Sequence, residues 1–135
     1  MERVFVDTNI VIDLLARREP FYRSAQELFT RADRKKLQLS ISALTFANAY
    51  YSILRHHKDI IARKHLANFK LLVNVLTVDD KCINLALASD FEDFEDGLQY
   101  FVALENKSEV IITRNKKDFK SAHIPVMSAE EFLFS

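Results

Sequence analysis

The chain has 135 residues, of which 49% are hydrophobic and 28% charged, and its 19 acidic and 19 basic side chains cancel. This composition predicts one globular domain over residues 1–135 and excludes a disordered chain, while no apolar run approaches the roughly 20 residues of a membrane span. The single glycine excludes a dinucleotide site or a P-loop. The single cysteine excludes an internal disulfide and suits a reducing compartment, so we expect a cytoplasmic protein with no membrane partner.

Short apolar runs predict five strands, at residues 4–6, 37–42, 74–78, 109–113 and 124–127. Segments of helical periodicity separate them, at residues 8–18, 20–32, 43–57, 58–72, 79–87, 90–104 and from 128 onward. Pro20 suits a first helical position, Ser42 a helix cap, and Ser128 with Glu131 a capping box. Strands that alternate with helices predict a single α/β domain with a mostly parallel five-stranded sheet and helices on both faces.

Polar side chains follow the predicted strands, and open parallel sheets bind ligands beyond the carboxyl ends of their strands. Asp7 follows the first strand, Asn48 lies on the helix after the second, and Asp96 lies near the start of the helix before the fourth. The fourth strand ends at Thr113, Arg114 and Asn115. We expect these side chains to converge in a carboxylate-rich pocket.

Residues 90–96 place five carboxylates in seven positions. Carboxylates that lie close together repel one another unless a hard cation such as Mg²⁺ or Mn²⁺ shares them. Such an ion activates a bound water and neutralises a scissile phosphate, which favours metal-assisted phosphodiester hydrolysis. A solvated acidic helix start, favoured by the helix dipole, is the alternative interpretation.

Four segments resemble the PIN-domain family in their order and spacing, and together they cover essentially the whole chain. They are "FVDTNIVIDLL", "ISALTFANAYY", "DFEDGLQYFVALE" and "IITRNKKDF". The likeness is greatest to small prokaryotic PIN proteins, many of which are VapC-type toxins. The resemblance implies a Mg²⁺- or Mn²⁺-dependent endoribonuclease that acts on RNA, an antitoxin protein as partner, and a homodimer.

The resemblance also implies which side chains form the site. Asp7 and Asp96 match the family's first and third acidic residues. The fourth falls in the "TRN" segment, where Asn115 occupies the key position and Asp118 follows three residues later. Asn48 stands where the family usually has Glu. A catalytically weakened module that binds RNA or protein is therefore the alternative function.

Other carboxylates of the acidic segment have different expected roles. Asp93 lies three residues before Asp96, on the same face if both are helical, and is the candidate accessory metal ligand. Glu95 is adjacent to Asp96 and is expected to point elsewhere, into solvent. Asp90 and Glu92 are expected to be solvated as well.

Several further side chains could serve the pocket or have ordinary structural roles. Asn9 could hydrogen-bond Asp7 or a metal-bound water, or belong to the first helical turn, and Thr113 could orient the attacking water or end its strand. A haloacid-dehalogenase phosphatase would require a second Asp where Asn9 stands, which disfavours that class. A basic tract beside the pocket could hold RNA phosphates or form a solvated loop. It consists of Arg114, Lys116, Lys117 and Lys120.

Overall fold

The computed structural model describes residues 1–135 and contains five strands, seven α-helices and one 3₁₀ helix. In chain order the elements are β1 (Arg3–Val6), α1 (Thr8–Leu15), α2 (Tyr22–Asp33), β2 (Gln38–Ser42), α3 (Ala43–Leu54), α4 (Asp59–Lys70), β3 (Asn74–Leu76), α5 (Asp80–Leu87), α6 (Phe94–Glu105), β4 (Val110–Ile112), the 3₁₀ helix (Lys116–Phe119), β5 (Val126–Met127) and α7 (Ala129–Leu133). None of the helices has the length and apolar character needed to cross a membrane.

The five strands form one sheet in the order β3-β2-β1-β4-β5. All four strand pairs are parallel, and in the register Val4 of the central strand lies between Leu39 and Val110. The predicted parallel α/β fold is therefore confirmed. Because the strands run in one direction, their carboxyl ends share one edge of the sheet, where the segments after β1, β2 and β4 come together.

Alternating side chains of the central strand enter two hydrophobic clusters, one on each face of the sheet. Val4 and Val6 belong to the cluster covered by α1, α2, α3, α4 and α7. Phe5 belongs to the other cluster, where α5, α6 and the 3₁₀ helix supply residues such as Tyr100 and Phe119. Both faces of β1 are thus closed, which fixes its carboxyl end firmly between two layers of helices.

Helix starts agree with several of the sequence signals. The Ser42 side chain accepts a hydrogen bond from Thr45 N, and Ser128 and Glu131 form the predicted capping box. Several predicted boundaries are wrong: the helix predicted from residue 90 begins at Phe94, and the strand predicted at residues 124–127 spans only Val126–Met127. The second helix begins at Tyr22 rather than at Pro20, because residues 18–21 close a turn in which the Phe21 amide donates to the Arg18 carbonyl.

The third strand ends at Leu76 rather than at residue 78. Leu76 pairs with Ser42, the last residue of β2, so the residues beyond it have no strand beside them to pair with.

Candidate functional site

Asp7 is fixed at the carboxyl edge of the sheet by groups from three neighbouring positions. The residue is only 7% exposed, and it directly follows β1 and caps α1. Oδ1 accepts a hydrogen bond from the Thr8 amide at 2.8 Å, and Oδ2 accepts one from Thr113 Oγ1 at 2.8 Å. Asn9 Nδ2 donates to the same Oδ2 at 3.4 Å. The predicted convergence of the ends of β1 and β4 is thereby observed.

Opposing influences act on the charge of Asp7, and the net effect is a raised pKa. Burial is the largest cause and raises the pKa, since a buried carboxylate loses its hydration. The hydrogen bonds from Thr113 and Thr8 lower it in part, while the negative charge of Asp118 raises it and the positive charge of Arg114 lowers it. Asp7 is therefore a preoriented carboxylate whose negative charge is not fully compensated.

Asp96 lies in the first turn of α6 and faces the same pocket. Its partial burial, together with the negative charges of its neighbours, raises its pKa to about 7. Those neighbours, in decreasing order of effect, are Asp93, Asp7, Asp118 and Glu95. Side chains from β1, α6 and the 3₁₀ helix are thus close enough to repel one another, although they are far apart in the sequence.

Asp93 is the N-cap of α6 and precedes its first helical residue. Its Oδ1 accepts a hydrogen bond from the Asp96 amide at 3.0 Å, and its backbone is extended. The two residues were expected to share a helical face only if both are helical, and this condition is not met because α6 begins after Asp93. One carboxylate oxygen is occupied by the cap, and the second is free to face the pocket.

Glu95 is exposed, as expected, but its side chain points toward Asn48 on α3 rather than away from the site. Asn48 Nδ2, on α3, donates a hydrogen bond to Glu95 Oε1 at 3.3 Å. Desolvation and the charges of Asp93 and Asp7 raise the pKa of Glu95. With Asp93 as the cap, the first turn of α6 presents positions 95 and 96 to the same edge of the sheet, a rotation that the sequence alone does not reveal.

The two candidate site residues after β4, Asn115 and Asp118, differ in what their side chains contribute to the pocket. The Asn115 amide donates to Thr113 Oγ1 at 3.1 Å, while the exposed Asn115 side chain makes no hydrogen bond. Asp118, exposed on the 3₁₀ helix, acts on the pKa values of both Asp7 and Asp96. Of these two candidates, Asp118 brings negative charge to the pocket.

Most of the basic tract is paired within the protein. Arg114 Nε lies 2.7 Å from Oδ2 of Asp13, which is fully buried and also pairs with Arg18 at 2.9 Å. Lys116 pairs with Glu131 at 2.8 Å and Lys120 with Glu92 at 3.1 Å. Lys117 makes no ion pair.

A small cavity of about 140 Å³ opens between α6 and the 3₁₀ helix. Its charged lining includes Asp93, Asp96, Asp118, Lys117 and Lys120. A groove lined by both carboxylates and lysines can hold a cation and a phosphate side by side.

The donor set at this edge suits a hard cation. No three His, Cys, Asp or Glu side chains converge closely enough to hold a metal ion as they stand. The donors of Asp7, Asp96 and Asp118 are nevertheless all carboxylate oxygens, the ligands that Mg²⁺ and Mn²⁺ prefer. The raised pKa of Asp96 marks the charge conflict that such an ion relieves.

The protein is a parallel α/β domain with acidic side chains at the carboxyl edge of its sheet. Sequence comparison gives its family. A sequence model of the PIN domain matches residues 3–117. The chain is 30% identical to ribonuclease VapC1 of Aquifex aeolicus (strain VF5) over 139 residues, which cover 97% of this chain and 93% of that relative. The chain therefore belongs to the PIN-domain family, as its motifs predict.

Solved structures share this fold. A chain of a toxin–antitoxin complex from Klebsiella pneumoniae superposes with a TM-score of 0.69 at 24% identity, covering 93% of this chain and 97% of that chain. VapC20 of Mycobacterium tuberculosis, a toxin that cleaves the sarcin–ricin loop, superposes with a TM-score of 0.63 at 16% identity and covers 80% of this chain and 86% of its own. At these identities the likeness shows the fold.

Proposed function

We propose that this protein is a metal-dependent endoribonuclease that hydrolyses RNA phosphodiester bonds, and that it is the toxin of a toxin–antitoxin pair. The cluster of Asp7, Asp96 and Asp118 at the carboxyl edge of the sheet is the observation that carries this proposal. The PIN-domain family and the ribonuclease relative support it.

In this proposal Asp7 and Asp96 hold Mg²⁺ or Mn²⁺, with Asp118 and the free oxygen of Asp93 as further donors. Bound there, the ion supplies an activated water and positive charge against the scissile phosphate. Thr113 holds the Asp7 carboxylate in one orientation through its 2.8 Å hydrogen bond. No covalent intermediate with the protein is required.

Accessory side chains would order the surroundings of the reacting phosphate. Asn9 donates to both Asp7 Oδ2 and Thr113 Oγ1, at 3.4 and 3.5 Å, and so connects the ends of β1 and β4. The free amide of Asn115 could contact the RNA or a water at the pocket rim. Asn48 contributes an amide and no charge. Its amide donates a hydrogen bond to Glu95.

Lys117 is the best candidate for a phosphate contact in the RNA. It is exposed, lines the groove beside Asp96, and forms no ion pair. Arg114 and Lys116 were predicted to contact RNA too, but each would first have to leave an ion pair. We therefore assign them a weaker electrostatic contribution, because their charges are already partly neutralised.

An antitoxin protein is the proposed regulatory partner, since a similar chain occurs in a toxin–antitoxin complex. A homodimer is proposed from the family resemblance. Size-exclusion chromatography with light scattering measures the assembly state directly, and a monomer at micromolar concentration would contradict the dimer.

Cleavage of short structured RNAs in Mn²⁺ or Mg²⁺ tests the activity. The parent is expected to cleave, and Asp7→Asn and Asp96→Asn are expected to lose cleavage. Asp33→Asn is the matched control, because Asp33 is exposed on α2 away from the pocket. Cleavage that survives both site substitutions would contradict the proposal.

A module that binds RNA or protein without cleaving it is the second candidate function. The amide of Asn48 in place of a carboxylate, and the absence of three converged ligands, favour it. A parent that cleaves no RNA and binds no Mn²⁺ in calorimetry would support this alternative.

A further inference from the structure

The contact between Asn48 and Glu95 belongs to an ordered interface between α3 and α6. Thr45 lies three residues before Asn48 on α3, and Gln99 lies four residues after Glu95 on α6, so each pair shares a helical face. Gln99 Nε2 donates to Thr45 Oγ1 at 3.1 Å in the interior. The Asn48–Glu95 contact lies one helical turn from the Thr45–Gln99 contact, on the side of the interface nearer the pocket.

The Thr45–Gln99 contact is buried and therefore restricts the position of the more exposed Asn48–Glu95 contact. Thr45 is fully buried and Gln99 is 1% exposed, and Gln99 also donates to Thr8 Oγ1 at 3.0 Å. The helices α1, α3 and α6 are therefore joined directly beneath Asp7. This junction limits the ways in which Asn48 and Glu95 can move relative to the sheet edge.

Glu95 is poorly compensated for a surface carboxylate. It makes no ion pair, and its one hydrogen bond is the donation from Asn48 to Oε1, which leaves Oε2 free. The neighbouring charges that act on it are those of Asp93 and Asp7, both negative. The 3.3 Å donation from the Asn48 amide turns this exposed carboxylate toward α3.

We propose that Glu95 is a further carboxylate of the site formed by Asp7 and Asp96, and that Asn48 is a positioning residue that orients Glu95 toward the shared divalent cation. This inference rests on the proposed metal-dependent function. In this proposal the carboxylate on the α3 side of the pocket comes from Glu95 of α6, and Asn48 of α3 supplies the hydrogen-bond donor that orients it. The amide at position 48 is then a working part of the site.

Calorimetric titration of the metal-free chain with MnCl₂ alone tests this inference without relying on activity. Glu95→Gln is expected to weaken Mn²⁺ binding by at least about tenfold, because it removes one anionic ligand while keeping the size of the side chain. Asn48→Ala is expected to weaken Mn²⁺ binding by about tenfold, as loss of a group that orients a ligand does. Asn48→Gln, which retains the amide donor, is expected to restore part of the affinity.

Glu105→Gln is the matched control, because it makes the same change of charge at the far end of α6, where Glu105 pairs with Lys81. Thermal unfolding checks that each variant is folded. A parent that binds Mn²⁺ with an affinity lost in Asp7→Asn but unchanged in Glu95→Gln would overturn this inference alone. A parent that binds no Mn²⁺ would overturn the proposed function and this inference with it.

Discussion

Asp96→Asn is expected to stabilise the metal-free protein at neutral pH, because it removes a charge that the folded state disfavours. Partial burial and the charges of Asp93, Asp7, Asp118 and Glu95 raise the pKa of Asp96 from 3.8 to about 7. A rise of about three pH units corresponds to about 4 kcal/mol at about 1.4 kcal/mol per unit. Asp96 is half-exposed and screened by water, so we expect a gain of about 1–2 kcal/mol in the free energy of unfolding.

The pH dependence of this gain has a definite sign. A carboxyl group whose pKa is higher in the folded than in the unfolded chain binds its proton more tightly when folded. The contribution of Asp96 to stability therefore falls as the pH rises from about 4 to about 7, and is constant above that range. The difference between Asp96→Asn and the parent should therefore be smaller at pH 5 than at pH 8.

Urea unfolding of both proteins in EDTA, at pH 5 and pH 8, measures this difference. The slope of unfolding free energy against urea concentration should be unchanged by the substitution. Asp33→Asn is the control for a neutral amide at an exposed position. An Asp96→Asn variant that is less stable than the parent at pH 8, or a difference that shrinks as the pH rises, would contradict the reasoning.

Three further substitutions test individual contacts. Asp13→Asn is expected to lower the free energy of unfolding by about 2–3 kcal/mol in urea, since Asp13 is fully buried and its ion pair with Arg114 is lost. Gln99→Leu is expected to lower it by about 1 kcal/mol, since the hydroxyls of Thr8 and Thr45 both lose the amide that donates to them. Lys117→Ala is expected to weaken RNA binding and to reduce the slope of log affinity against log salt by about one, measured by filter binding.

Each of these predictions has an outcome that contradicts it. Unchanged urea midpoints for Asp13→Asn or Gln99→Leu would show that the buried pairs do not stabilise the helices. A Lys117→Ala variant with the salt dependence of the parent would remove Lys117 from the path of the RNA. Lys107→Ala, at an exposed position just after α6, is the control for a neutralised lysine.

The placement of the ends of β1 and β4 at one edge of the sheet could be predicted from the sequence. Buried strands separated by helices form parallel sheets, and parallel strands end at one edge, so Asp7 and Thr113 were expected at the same edge. That β1 and β4 are neighbours is known only from the structure. This adjacency permits the observed 2.8 Å hydrogen bond from Thr113 to Asp7. The family motifs added the expectation that Asp96 faces the same edge.

Helix rotation and long-range pairing could not be predicted in the same way. Whether Glu95 faces water or the pocket depends on the position at which α6 begins, and the acidic segment offers several capping residues. Asp93 is the cap, and this choice turns Glu95 toward Asn48. Arg114 likewise looks like a free cation in the sequence, because Asp13, its partner, lies 101 positions away.

A crystal of the protein soaked in MnCl₂ and measured for anomalous scattering tests the shared cation most directly. We predict a peak at coordination distance from the carboxylates of Asp7 and Asp96, with a Glu95 oxygen beside it. A well-ordered crystal that shows no peak there, or manganese only at acidic side chains away from the carboxyl edge of the sheet, would contradict a divalent metal site in this pocket.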